Sequence, residues 1–285
     1  MQQPAFAGPG IANPFSLEAA AATDVGCLRS DNQDSVFVEN PPPDHREFAS
    51  GLLAIVADGM GGHLGGAVAS ALAVDAFASS FHNAGLNEAP ADILARSLQA
   101  ANTVVFERAE TDPALRGMGT TLSALLLRSG KLYAVHVGDS RIYRVSADGL
   151  SQLSEDHSLV NELLRKGVLS PESAPDFPDR NVLTQALGTK PTTGFDVWPV
   201  EPDPRIGDTF LLCSDGLHDL VTPDQMLEVL QSKPPAAACR TLIDLARMAG
   251  GPDNISAVVI AVRDPVVASP APRRTGDILI PAGPP

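Results

Sequence analysis

The chain has 285 residues, 44% of them hydrophobic, and a formal net charge of −14 from 20 Lys+Arg against 34 Asp+Glu. That apolar content excludes disorder of the whole chain. The acid excess argues against nucleic acid, which needs a basic footprint, and against anionic membrane surfaces. Cys27, Cys213 and Cys239 form no CxxC pair and fit a reducing cytosol better than a disulfide framework. No apolar run is read as approaching the roughly 20 residues that span a bilayer. No Lys or Arg precedes Arg29 to make a secretory leader. The expectation is a cytoplasmic protein with no membrane contact.

Residues 1–22 are rich in Ala, Pro and Gly, with Glu18 as their single charge, and read as a loosely ordered lead-in. Apolar runs at 36–40 and 52–57 predict strands, followed by helices over about 66–81 and 90–109. In the second helix Ile93, Leu94, Leu98, Ala101, Val104 and Val105 recur at a period of about 3.6. Strands follow at 120–128, 131–137 and 141–146. Ser129-Gly130 and Asp148-Gly149 are turn signals at their junctions, so these three strands read as an antiparallel meander. A helix over 158–167 closes at Gly167. Residues 168–182 then bring three prolines, several charges and few apolar anchors, which describes a surface loop or flap: either a functional lid or a tolerated insertion. A strand at 208–214, helices at 223–231 and 235–250, and a strand at 255–263 complete one domain over 23–264. Residues 265–285 hold six prolines and read as a flexible tail. Strands in hairpin runs with helices in pairs suit an α+β sandwich of antiparallel sheets covered by helices.

The chemistry lies where apolar runs end. Asp58, Asp139 and Asp215 each close or follow one, and Asp253 sits in a Gly-rich turn before another. Burying a carboxylate without a partner costs several kcal/mol, so folding alone explains these positions poorly. The bland alternatives are a charged hairpin turn at Asp139, a turn at Asp215 and an Asx turn at Asp253-Asn254, with Met118-Gly119-Thr120-Thr121 a plain β start. Their joint occurrence points instead to a site where hard divalent cations sit between carboxylates. Glycines flank Asp58, and His63 follows five residues later, within reach of the same pocket and able to move a proton near neutral pH. Arg29 and Asp34 lie five apart near the first strand; a guanidinium fork suits a phosphate dianion.

Taken in order, RSDNQD, ADGMGGH, MGTT, HVGDSRIYR, SEDHSLV, NVLTQALG, FLLCSDGLHD and GGPDNIS span about residues 23–262. This series resembles the metal-dependent protein phosphatase family, the 2C-like serine/threonine phosphatases, in its bacterial branch. The resemblance implies a four-layer α/β/β/α sandwich: two antiparallel sheets flanked by helix pairs, with a flap at 168–182. It implies Mn(II) or Mg(II), two ions plus a possible third. Asp58 would bridge two ions, the Gly59 carbonyl would bind one of them, and Asp215 and Asp253 would bind the other. Asp139 with Asp215 would form the third position. Asp34 would hold a metal-bound water, Arg29 the substrate phosphate, and Asn254 would support Asp253. His63 would act as general acid on the leaving oxygen while a hydroxide bridging the ions attacks phosphorus. Gln33 departs from the Glu of many relatives.

The implied partners are phosphoserine and phosphothreonine proteins and a cognate Ser/Thr kinase, with the phosphatase acting as a monomer. A pseudophosphatase that only binds phosphoproteins, or another two-metal phosphoesterase, is the alternative.

Overall fold

A computed structural model describes residues 15–39, 51–85, 87–174 and 177–264, apart from the side chains at 62 and 63. One antiparallel sheet is ordered β1 (Ser16–Asp24), β11 (Ile255–Arg263), β10 (Thr209–Cys213), β7 (Arg141–Ser146), β8 (Gly149–Gln152). The other is ordered β2 (Asp34–Glu39), β3 (Leu52–Met60), β5 (Leu122–Arg128), β6 (Lys131–Val137), β9 (Asp196–Pro199), with the short β4 (Gly119–Thr120) paired to β3. Helices α1 (Gly62–His82) and α2 (Pro90–Thr111) cover the second sheet, and α5 (Pro223–Ser232) and α6 (Pro235–Met248) cover the first.

The alternation along β3 shows how the layers form. Leu53, Ile55 and Ala57 pack with Phe77 and Leu98 of the helices, while Leu52, Ala54 and Val56 pack with Phe210, Leu212 and Ile260 of the opposite sheet. A strand buried on both faces reads as a continuous apolar run, which is how 52–57 looks in the sequence. The expected four-layer sandwich is what the chain forms.

Three expectations need correction. Residues 16–22 belong to no loose lead-in: Ser16–Asp24 is a strand in register with β11 along its whole length. Its alanines have weak strand propensity, but Ala20 and Ala22 are small enough to lie beneath α6, and the Cys239 thiol of α6 donates to the Ala20 carbonyl at 3.4 Å. Residues 1–14 and 265–285 lie outside the described residues.

The three-strand meander is also broken. Ser129 (φ 55°) and Gly130 (φ 77°) make the β5–β6 hairpin with both central residues left-handed, as a type I′ turn requires. After β6, however, the chain leaves that sheet, and β7 pairs with β10 and β8 in the other. Asp139 therefore sits on a crossover between sheets, not in a hairpin.

Finally, one helix does have the length and composition to cross a membrane: Leu64–His82, 19 residues at mean hydropathy 1.4. Its Ala69, Ala73, Phe77 and Phe81 are spent on the core with β3 and α2.

Candidate metal centre

The crossover and the strand ends bring the predicted carboxylates together. Asp34 opens β2 directly opposite Asp58 near the end of β3. Asp215 begins the four-residue helix α4 (Asp215–His218) after β10, and Asp253 immediately precedes β11. These positions share one edge of the sandwich. There Asp58, Gly59, Asp139, Asp215 and Asp253 line an open cleft of about 900 Å³. Arg29 and Asp31 line it too, as do Asn181 at the end of the flap and Leu183, Gln185 and Lys190 from the segment after it. Asp34 is absent from the lining. It is buried behind Asp58, where its Oδ2 accepts a 2.8 Å bond from the Ser214 hydroxyl.

The backbone around each aspartate is tightly tied. Asp58 N–H donates to Thr121 Oγ1 at 2.9 Å, and its carbonyl accepts from Thr121 N–H and Thr120 Oγ1, both at 2.8 Å. Thr121 Oγ1 also meets the Ser140 hydroxyl at 2.7 Å, joining the end of β3 to the crossover that carries Asp139. The MGTT segment is therefore a clamp on Asp58, not a plain strand start. Gly138 holds φ at 105°, and a Cβ there would stand 2.5 Å from Thr121 Cγ2. Glycine is required at Gly59 for a related reason: a Cβ would collide with the Gly66 carbonyl as α1 turns back on β3.

Asp253 Oδ1 accepts from Asn254 N–H at 2.8 Å, and Asp253 Oδ2 pairs with Arg29 Nη2 at 2.7 Å. Asn254 does more than support its neighbour. Its side-chain amide donates to Val25 and Asp31 carbonyls and accepts from Gln33 N–H, pinning the loop that presents Arg29. His63 falls in the first turn of α1, and its side chain lies outside the described residues.

Electrostatics decide what the ring of carboxylates is for. Burial pushes Asp34 up to about 6, against hydrogen bonds from Ser256 and Ser214 that pull it down. Burial and the charge of Asp215 push Asp139 up to about 7, with His218 opposing. Asp58 is raised well above the carboxylate range by burial and by the charges of Asp34, Asp215 and Asp139. Asp215 is raised chiefly by burial. The Asp58 and Asp215 carboxyls lie in hydrogen-bond reach of each other, so a shared proton serves where positive charge is demanded.

Asp34 Oδ1 and Asp215 Oδ1 are both buried without a hydrogen-bond partner. Among the described residues, no three His, Cys, Asp or Glu side chains are drawn together closely enough to hold an ion as they stand. Like charges facing one cavity repel, and a cation between them would remove that cost. An all-oxygen donor set with orphaned carboxylate atoms fits a hard divalent ion such as Mg(II) or Mn(II).

Three contributors escaped the sequence reading. His218, three residues after Asp215 on α4, donates from Nε2 to the Asp139 carbonyl at 3.1 Å. Ser214 bridges Asp34 and the Ser256 N–H. The wall at 183–190 closes the other side of the cleft. His218 and the wall residues Leu183 and Gln185 were discoverable, standing inside motifs already singled out; Lys190, two residues past its motif, had no signal.

A carboxylate cleft for hard divalent cations, at the edge of two stacked antiparallel sheets between helix layers, defines a metal-dependent phosphohydrolase architecture. The chain belongs to the protein phosphatase 2C family, whose model matches residues 30–241. It is 39% identical over 253 residues to serine/threonine protein phosphatase PstP of Mycobacterium tuberculosis, an alignment covering 87% of this chain and 45% of that protein. It is 37% identical over 249 residues to serine/threonine phosphatase stp of Listeria innocua, covering 86% of this chain and 95% of that one. The chain thus spans less than half of the mycobacterial relative and nearly all of the listerial one.

Among solved structures, the catalytic domain of PstP in complex with two manganese ions superposes with a TM-score of 0.73 at 36% identity, covering 87% of this chain and 99% of that one. The S. agalactiae serine/threonine phosphatase gives 0.79 at 33% identity, covering 87% and 100%.

Proposed function

We propose that this chain is a metal-dependent protein phosphatase that hydrolyses phosphoserine and phosphothreonine in protein substrates, opposing a bacterial Ser/Thr kinase. One observation carries the reading: Asp34, Asp58, Asp139 and Asp215 meet at one edge of the sandwich with carboxyl pKa values all pushed upward, beneath a cleft that also holds Arg29. Bacterial relatives at 36–39% identity that are named protein or serine/threonine phosphatases point the same way.

Asp58, Asp215 and Asp253, with the Gly59 carbonyl, would hold two Mn(II) or Mg(II) ions, and Asp139 with Asp215 a third. When bound, such ions acidify water and neutralise phosphoryl charge. The protein's own residues do the rest. Thr121 and Ser140 keep the Asp58 and Asp139 backbones in fixed relation. Asp34, buried behind Asp58 and oriented by Ser214, would hold a water for the reaction. Arg29, at the exposed end of the cleft, exchanges its Asp253 partner for the substrate phosphate. His63 delivers a proton to the departing serine or threonine oxygen. The open cleft admits a side chain on a peptide, and the net charge of −14 disfavours nucleic acid substrates. The reading carries a monomer in the cytoplasm, supported by three free cysteines, of which Cys27 is exposed.

Phosphate release from phosphopeptides should require Mn(II) or Mg(II) and stop on chelation, while a bis-ester such as bis(p-nitrophenyl) phosphate is cleaved poorly. Full activity in excess EDTA would overturn the metal assignment. Preference for the bis-ester would favour the phosphodiesterase alternative.

A further inference from the structure

Arg29 and Lys190 are the two cationic side chains lining the cleft among the described residues, against five aspartates. Arg29 is already engaged with Asp253 at 2.7 Å. The Lys190 ammonium has no ion-pair partner among the described residues.

Its backbone, by contrast, is held firmly. Asn102 of α2 is buried at 3% exposure and directs its side-chain amide at this segment. Nδ2 donates to the Lys190 carbonyl at 3.1 Å and to the Pro191 carbonyl at 3.0 Å, while Oδ1 accepts from Gly188 N–H at 2.9 Å. Gly188 takes φ 81° and lies so close to Val105 that a Cβ would clash. Leu187 and Thr120 exchange backbone hydrogen bonds at 2.9 and 3.1 Å, and Thr120 Oγ1 holds the Asp58 carbonyl. A buried polar side chain must be satisfied or it destabilises the fold. Here a core helix carries one whose bonds all fix residues 188–191. Lys190 is thus an exposed cation on a fixed base, registered to the floor of the cleft through Thr120.

Charge accounting then gives it a role. Two divalent cations would offset four of the five lining carboxylates, those of Asp58, Asp139, Asp215 and Asp253, and Arg29 would be taken up by the phosphate. Lys190 is left facing whatever flanks the phosphoresidue, on a protein whose overall charge of −14 repels acidic chains. Resting on the phosphatase reading above, we infer that Lys190 is a specificity-determining residue that recognises an anionic side chain flanking the phosphoserine or phosphothreonine of the substrate. That anion is either a carboxylate or a second phosphate.

The test compares phosphopeptides identical except at one flanking position, scanned on each side, that carries Gln, Glu or phosphoserine. The readout is kcat/KM for each anionic peptide divided by that for its neutral twin, a ratio in which general damage to the enzyme cancels. The wild type should prefer an anionic peptide by about threefold or more, the scale of one exposed charge pair. The preference should reside in KM and vanish in 0.5 M salt. Lys190→Ala should bring the ratio to one, Lys190→Glu should invert it, and Lys190→Arg should keep it. A carboxylate preference and a doubled response to phosphoserine distinguish the two sources. The same ratio in wild type and Lys190→Glu would overturn the inference. No turnover of any peptide, neutral ones included, would instead overturn the phosphatase reading on which it rests.

Discussion

Asp58, Asp139 and Asp215 sit on the floor of the cleft with their backbones tied into two sheets, whereas Arg29, Asn181 and Lys190 stand around its rim on loops. The floor residues are buried, and burial raises every carboxyl, reinforced at Asp58 and Asp139 by the charges of neighbouring floor aspartates. Rim contacts are exposed ion pairs such as Arg29–Asp253 at 2.7 Å and Arg180–Asp219 at 3.5 Å, a kind worth about 0–1 kcal/mol each. The floor is a device that demands cations. The rim is held weakly enough to exchange its partners for a substrate.

The largest effect that would break this comparison comes from the proposed metal ligands, Asp58 on the floor and Asp253 at its margin. Asp58→Asn and Asp253→Asn remove ligand charge, so each should lose Mn(II) in calorimetric titration and turnover on the order of 10³-fold or more. In EDTA the melting temperature of Asp58→Asn should rise, because the substitution relieves repulsion among Asp34, Asp58, Asp139 and Asp215. Retained metal affinity in Asp58→Asn would remove it from the ligand set.

Next in size is His63, which belongs to the rim if it acts on the leaving group. A serine alkoxide needs a proton to depart, and p-nitrophenolate does not. His63→Gln should slow phosphopeptide hydrolysis by about 10²-fold, as expected of a positioned general acid, and p-nitrophenyl phosphate hydrolysis far less. Equal losses on both substrates, with metal content unchanged, would retire the assignment.

Arg29→Ala should have a smaller effect and move two quantities in opposite directions. Losing a charge-assisted bond to phosphate should raise KM for phosphopeptide by about tenfold. Releasing Asp253 from its 2.7 Å partner should leave Mn(II) affinity equal or slightly tighter, since the guanidinium competes with the cation. An unchanged KM would make Arg29 a structural partner of Asp253 alone.

The same division explains what was legible in the sequence. The floor announced itself because a carboxylate ending an apolar strand conflicts with burial, and four such conflicts in one chain have a common cure. The layers followed from the double-sided run at 52–57 and the helix period at 90–109. What failed was information held by partners distant in sequence. The strand at Ser16–Asp24 is alanine-rich and makes sense only beneath α6. The crossover at Gly138-Asp139 carries the residues of a hairpin turn, and only the pairing of β7 with β10 reveals the change of sheet. Likewise the double role of Asn254 and the clamp by Asn102 involve bonds across 221 and 88 residues of sequence. Polar side chains at such positions look like ordinary turn or helix residues until the fold brings their partners to them.

The smallest expected effect, a shift of a few degrees, concerns the proton as a stand-in for the metal. Asp34 and Asp139 are raised to about 6 and about 7 by burial and by neighbouring charge, from an ordinary value near 3.9 in an unfolded chain. A carboxyl whose pKa is higher in the folded state binds its proton more tightly there, so folding is favoured while that proton is on. The contribution is complete below about 4 and is lost as pH rises through 6 and then 7. This opposes the usual acid destabilisation by paired surface carboxylates. The informative quantity is therefore the difference between wild type and Asp139→Asn in EDTA, which isolates one floor carboxyl. Asp139→Asn should gain in melting temperature relative to wild type as pH rises from 5 to 8. With saturating Mn(II) the gain should disappear, because the cation replaces the proton in stabilising the ring. A constant difference across that range in EDTA would mean that Asp139 feels no charge from the floor, and the distinction between floor and rim would lose its physical basis.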